Sequence, residues 1–324
     1  ATRLRPADNY EFFLGGIGVP REQDEHAHHM GAAPDSLGWT EIPMYPGLDM
    51  LPSEMALRPP MAAWSLPEQP NAPVARPREV VSLTNGDTLD LTAGVVRRTL
   101  AGRSYTMFGF NGQYPGPMLR VPQGAQVIVR FHNALPLPST VHWHGLRLDA
   151  RFDGVPGLSQ PAVEPGESFT YQLVFPDGGI FWYHPHVRED IQQDLGLYGN
   201  IFVQPTRPDA WGPVHREEFL ILDDLLVGSD GLVPWGRDEP THAAMGRFGN
   251  LLLVNGEPDW RLQVRQGEVV RLFLTNVSNT RTFNLSFGAG ARLKVVGSDL
   301  GNFVRESWTE SVVIGPAERY VVEV

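Results

Sequence analysis

The chain has 324 residues, which at roughly 150 residues per domain calls for two domains and a remainder. Its 26 basic and 37 acidic residues give a net charge of −11, which argues against nucleic acid and anionic membrane as partners. The absence of cysteine excludes disulfides, zinc ribbons, iron–sulfur clusters and thiolate nucleophiles, and no apolar run approaches the ~20 residues of a bilayer-spanning helix.

Residues 1–78 hold 12 of the 29 prolines, a density that regular helices and central strands do not tolerate. The same segment contains Trp39, Trp64, Tyr10, Tyr45, Phe12 and Phe13, too many aromatics for a disordered tail. It reads as an irregular extension that packs on a neighbouring domain. Within it, His26, His28 and His29 follow an acidic stretch, and Met30, Met44, Met50, Met55 and Met61 offer soft thioethers. These residues fit either an accessory metal site or, more plainly, a solvated loop and ordinary packing.

From Val80 onward, short runs rich in β-branched and aromatic residues alternate with Gly, Pro and Asn signals. Strands are predicted over Gln126–Phe131, Phe169–Phe175, Ile180–Tyr183, Asn200–Val203, Glu268–Leu274 and Val312–Ile314. No long stretch has helical periodicity, so the expectation is an all-β protein built from sandwiches.

The sequence also repeats itself at domain length. Asn111-Gly112, Gly124 and Asn133 are echoed by Asn255-Gly256, Gly267 and Asn276, an offset of 143–144 residues. The 143-residue offset sets His142-Trp143-His144-Gly145 opposite Leu285-Ser286-Phe287-Gly288, so the architecture repeats and the histidines do not. Val163–Glu167 aligns with Val313–Glu318, and the second copy then lacks the last strands of the first. The chain is therefore expected to be completed by more polypeptide or by a second chain. The expected division is an extension at 1–78, a first domain at 79–206 and a second at 207–324.

Four of the ten histidines form two His-x-His pairs, His142/His144 and His184/His186. Residues i and i+2 of a strand share a face, about 6.6 Å apart along the backbone, so each pair can serve one metal or two adjacent ones. A single pair is a weak signal. Two pairs 42 residues apart in one sandwich, each in an aromatic setting, point to a metal site. Imidazole suits copper, zinc, iron and nickel, with copper highest in intrinsic affinity. Pro185 lacks an N–H, which sets His184 and His186 at a strand end or edge.

From Val80 to Val324 the sequence resembles the multicopper oxidases, the laccase-like family of cupredoxin domains. The matching motifs are Asn111-Gly112-Gln113-Tyr114-Pro115-Gly116-Pro117, His142-Trp143-His144-Gly145, Asp153-Gly154, Trp182-Tyr183-His184-Pro185-His186 and Gly196-Leu197-Tyr198-Gly199. The resemblance implies tandem cupredoxin-like Greek-key sandwiches, of which these are the first two. It implies that His142 binds a type 2 copper, that His144 and His184 bind one type 3 copper, and that His186 binds the other. It implies for Asp153 a role in orienting water and delivering protons; a turn residue ahead of Gly is the plain alternative.

The family's type 1 copper needs a cysteine, so it is expected outside this chain, in a third cupredoxin domain that also completes the trinuclear cluster. A two-domain nitrite reductase or laccase is excluded on the same ground. The implied reaction couples one-electron oxidation of a small reducing substrate to reduction of O2 to water, in a secreted or periplasmic protein. A non-catalytic copper-binding module or scaffold is the alternative. His132 and His215 lack paired spacing and read as structural or solvated, His242 beside Met245 reads as loop packing or part of an interdomain surface, and Asp190 and Asp194 read as facing solvent or capping a short turn.

Overall fold

The computed structural model describes residues 63–207, 210–236, 242, 246–288 and 290–324. His26, His28, His29, Met245 and the methionines of the extension lie outside the described residues. Where the extension is described, it runs extended and irregular along the first sandwich. Trp64 and Trp235 exchange backbone hydrogen bonds of 2.7 and 2.9 Å, and Ala75 donates to the Arg97 carbonyl at 2.9 Å.

Strands β1 (Val80–Ser82), β2 (Thr88–Leu100), β3 (Arg103–Phe110), β4 (Met118–Pro122), β5 (Gln126–Asn133), β6 (His142–His144), β7 (Ser168–Val174), β8 (Gly179–His184) and β9 (Gly199–Gln204) build two sheets. One has the order β3-β2-β5-β7 and the other β1-β4-β9-β8-β6. Strands β10 (Arg216–Leu225), β11 (Leu251–Val254), β12 (Val270–Asn276), β13 (Phe283–Ser286), β14 (Leu293–Ser298), β15 (Gly301–Thr309), β16 (Ser311–Ile314) and β17 (Arg319–Glu323) follow. They build a sheet of order β11-β10-β12-β17-β14-β15 and the pair β13-β16. The protein is all-β, as its sequence texture predicts.

Burial follows the period of two. On β5, Val127, Val129 and Phe131 turn inward while Gln126, Ile128 and Arg130 turn outward. Strand β8 is buried at all six positions and has no such alternation. Phe181 and Tyr183 enter the core of the first sandwich. Ile180 joins Phe273 and Val321, and Trp182 joins Ile221 and Val277, in clusters shared with the second sandwich. A strand covered on both faces must be apolar throughout. Each large side chain buried in these shared clusters contributes roughly 2–3 kcal/mol. The outer face of the five-stranded sheet is thus where the second sandwich docks.

The repeat is reproduced atom by atom at its polar hubs. Asn133 donates to the carbonyls of Leu137 and Val163 and accepts from Leu135 N–H. Asn276 donates to those of Arg281 and Ile314 and accepts from Ser278 N–H. The alignment at the histidines needs correcting by one residue. Phe283 and Leu285 are core residues of the second sandwich and Phe287 packs against them, as Val141 and Trp143 do in the first. The outward positions are therefore Asn284 and Ser286, because a one-residue slip on a strand exchanges its faces.

Candidate metal centre

Strand β6 is three residues long and lies at the sheet edge. Trp143 is fully buried in the core, which forces His142 and His144 onto the opposite face. The β6–β8 pair is antiparallel and sets His142 directly across from His184. After Pro185 the chain leaves the sheet, and the His186 N–H donates to Thr140 Oγ1 at 3.2 Å. All four imidazoles converge. The His142 ring lies 5.4 Å from those of His144 and His184 and 4.6 Å from that of His186. Ligand nitrogens of His142, His144 and His184 lie within 4.8 Å of one another.

Hydrogen bonding decides which nitrogen each ring can offer. Nδ1 of His142 donates to the Asp153 carbonyl at 2.7 Å, and Nδ1 of His184 to the Pro185 carbonyl at 2.9 Å. Nδ1 of His186 lies 2.5 Å from Glu189 Oε1. These three contacts leave Nε2 as the free lone pair on each ring. His144 differs, for its Nδ1 stands 3.3 Å from Nε2 of His184. Two nitrogens sharing one first-row metal at ~2.0 Å and near-tetrahedral angles stand about 3.3 Å apart, so this pair fits one ion.

Burial disfavours the charged form of these rings. It lowers the pKa of His142, and it lowers that of His144 to about 3 with help from Arg319, His142 and His186. His184 is held well below its ordinary value, first by burial and then by the three other histidines. Neutral imidazoles are what a metal requires. The Trp182 ring stacks on His184 at 4.1 Å with 16° between planes, fixing that imidazole. The donor set of four imidazoles, three with fixed tautomers, fits copper.

Asp153 joins the site through both its carbonyl and its carboxylate, whose Oδ1 is 3.3 Å from His142 Nδ1. A three-residue turn of 3-10 helix, Ala150–Phe152, delivers it. Gly154 then allows close approach to β6, since a Cβ there would collide with the Val141 carbonyl. Glu189 is a partner that motif reading misses. It begins the one-turn helix α1 (Glu189–Gln192), and its only sequence signal is the spacing of three from His186. Helix α1 is itself anchored, with Gln192 accepting from Ser139 Oγ at 2.7 Å and donating to the Pro138 carbonyl at 2.9 Å.

The remaining candidates do not join the site. His132 bonds Ser168, and His215 accepts from the Val269 N–H. Asp190 pairs with Arg188. Asp194 is buried rather than solvated. Trp235, Arg247 and Asn279 all donate to it, and burial still raises its pKa to about 7.

Residues 93–208 and residues 235–324 each match a family described as multicopper oxidase. Copper resistance protein A of Pseudomonas syringae pv. tomato is 36% identical over 286 residues, spanning 75% of this chain and 46% of that protein. The multicopper oxidase MmcO of Mycobacterium tuberculosis is 30% identical over 269 residues, spanning 73% and 51%. The crystal structure of a multi-copper oxidase from Pseudomonas thermotolerans superposes with a TM-score of 0.68 at 34% identity, covering 75% of this chain and 58% of that one. The chain thus spans about half the length of the curated relatives it matches.

Proposed function

The chain belongs to the multicopper oxidase family, and from that premise we propose that it is the N-terminal part of a laccase-like oxidase and supplies half of a trinuclear copper cluster. In this reading His142 serves a type 2 copper, His144 and His184 one type 3 copper, and His186 the other. The observation that carries it is the convergence of four imidazoles at the β6 edge of the sheet, with His144 Nδ1 and His184 Nε2 3.3 Å apart. Bound copper would supply the electrons for reduction of O2 to water, drawn one at a time from a small reducing substrate. The protein's own part is to hold each lone pair in place. Asp153, half-exposed beside His142, would pass protons inward from solvent.

Residues 79–206 and 207–324 would be two cupredoxin domains, the first carrying ligands and the second docking on the outer face of its sheet. Since the 324 residues contain no cysteine, the type 1 copper belongs to a further cupredoxin domain, supplied by continuation of the chain or by a second polypeptide. We assign the protein to the periplasm or exterior, in keeping with the family it resembles. Among the described residues no helix is long and apolar enough to cross a membrane. The missing cysteine also supports a second reading, in which this polypeptide binds copper without turnover.

The test is metal analysis of the full-length protein. Replacing His142 and His144 together by Ala should abolish trinuclear copper and leave any blue type 1 absorption; unchanged copper would refute the assignment. Asp153→Asn should slow O2 reduction about tenfold or more while substrate oxidation under single turnover is preserved. Equal slowing of both steps would reject the proton role.

A further inference from the structure

The second sandwich holds none of the four histidines, yet one of its side chains reaches them. Arg319 opens β17 and is 5% exposed. Its Nε donates to the carbonyl of Ile180 on β8 at 3.3 Å, and its Nη1 donates to the Ala317 carbonyl at 2.9 Å. Its Nη2 lies over Gly145, the residue that follows His144. A Cβ on Gly145 would collide with Nη2 on one side and press on Phe181 on the other, and the glycine holds φ at +84°. Glycine at this position therefore leaves the space that the guanidinium fills.

The charge is only partly neutralised. Asp299 Oδ1 lies 3.2 Å from Nη1 but makes no hydrogen bond to it, and the side chain as a whole is half exposed. Glu318 is the other acidic group felt by Arg319. On the ligand side the guanidinium meets Gly145, the neighbour of His144, and its charge is felt at the His144 imidazole. A fixed positive charge in such a place opposes Cu(II) more than Cu(I), because each added unit of metal charge is repelled again.

We propose that Arg319 is a positioning residue of the copper site: the ligand-free sandwich uses it to brace the His142–Gly145 segment and to bias the metal at His144 toward Cu(I). This rests on reading His144 as a copper ligand. Removing the charge should change the ratio of Cu(I) to Cu(II) affinity by on the order of tenfold, the effect of one unit charge ~10 Å away at an effective dielectric of ~20.

The experiment uses the full-length protein, stripped of copper and titrated with Cu(I) and with Cu(II) against competing chelators. Arg319→Gln, which keeps a donor for the Ile180 carbonyl, should lower the Cu(I)/Cu(II) affinity ratio about tenfold, and Arg319→Lys should hold it within about threefold. A ratio unchanged in Arg319→Gln would overturn the proposal. If Arg319→Gln does not fold, Gly145→Ala supplies the test, since it retains every charge while displacing the guanidinium. A lowered ratio there supports the proposal, and unaltered affinities for both ions refute it. His144→Ala is measured in parallel. If it binds copper as tightly as the parent, the site reading has failed and the proposal falls with it, an outcome distinct from an unmoved ratio in Arg319→Gln alone.

Discussion

The two repeats share their turns and polar hubs, and they part where the first carries its four histidines. Asn111-Gly112 and Asn255-Gly256 are both turns with positive φ at each residue. The Asn133 N–H donates to the carbonyl of Glu167 on the returning chain at 2.9 Å, as the Asn276 N–H does to that of Glu318 at 3.1 Å. Strand β6, however, lies against β8, which brings His184 to it. Strand β13 pairs with β16, and among the described residues no strand flanks its other edge. Two outward histidines on an edge strand are thus half a device. The neighbouring strand β8 supplies His184, and the second repeat carries Asn284 and Ser286 at the outward positions of β13 in place of histidines.

The largest consequence of that difference is an acid sensitivity carried by the histidines of the first repeat. His144 has a folded pKa of about 3 and His184 lies well below its ordinary value, against ~6.5 in an unfolded chain. Because the folded values are depressed, the unfolded state binds protons first. The stability contributed is complete above pH ~6.5 and is lost as pH falls toward the folded values, by up to ~1.4 kcal/mol per pH unit for each ring. In urea unfolding of the copper-free protein between pH 7.5 and 4 this contribution is superposed on the opposite one of Asp194, whose raised pKa favours the folded state as pH falls, and His144→Ala should shift the slope by close to one proton. An unchanged slope in that variant would mean the ring is solvated in the folded state.

The shared hubs predict an equality instead. Asn133 and Asn276 are both fully buried, and truncating either strands two carbonyls and an amide. Asn133→Ala and Asn276→Ala should each cost about 3 kcal/mol by chemical denaturation. A cost in one repeat more than twice that in the other would show that the repeated pattern is not equally stressed in the two sandwiches.

The polar hubs and the histidines were legible in the sequence because each depends on local spacing. Asn-Gly fixes a turn, and His-x-His fixes a face. Facing in the second repeat was not, since the 143-residue offset made Leu285 and Phe287 the counterparts of His142 and His144, and only packing shows that both turn inward. Asp194 was misread for a related reason. Its partners Trp235, Arg247 and Asn279 come from 41, 53 and 85 residues away, and no short-range pattern reports such a cage. Glu189 and Arg319 escaped notice because nothing in their immediate sequence says what they touch.

The smallest difference between the repeats is the sharpest test of backbone strain. Gly166 and Ala317 occupy the same turn, with φ of +84° and +67°, and donate to the Asn133 and Asn276 carbonyls at 2.7 and 2.9 Å. An alanine in this region costs roughly 1–2 kcal/mol relative to glycine, partly offset by the ~0.4–1 kcal/mol it saves in the unfolded chain. At Gly166 an added Cβ would meet nothing within 4 Å, so no packing compensates. Gly166→Ala should therefore lower stability by about 1 kcal/mol. At Ala317 the methyl already packs on the cluster of Trp182, Tyr198, Ile221 and Val277. Ala317→Gly relieves the strain but gives up that contact and should be nearly neutral. A gain above about 1 kcal/mol in Ala317→Gly would mean the methyl contributes nothing and the second repeat simply carries the strain.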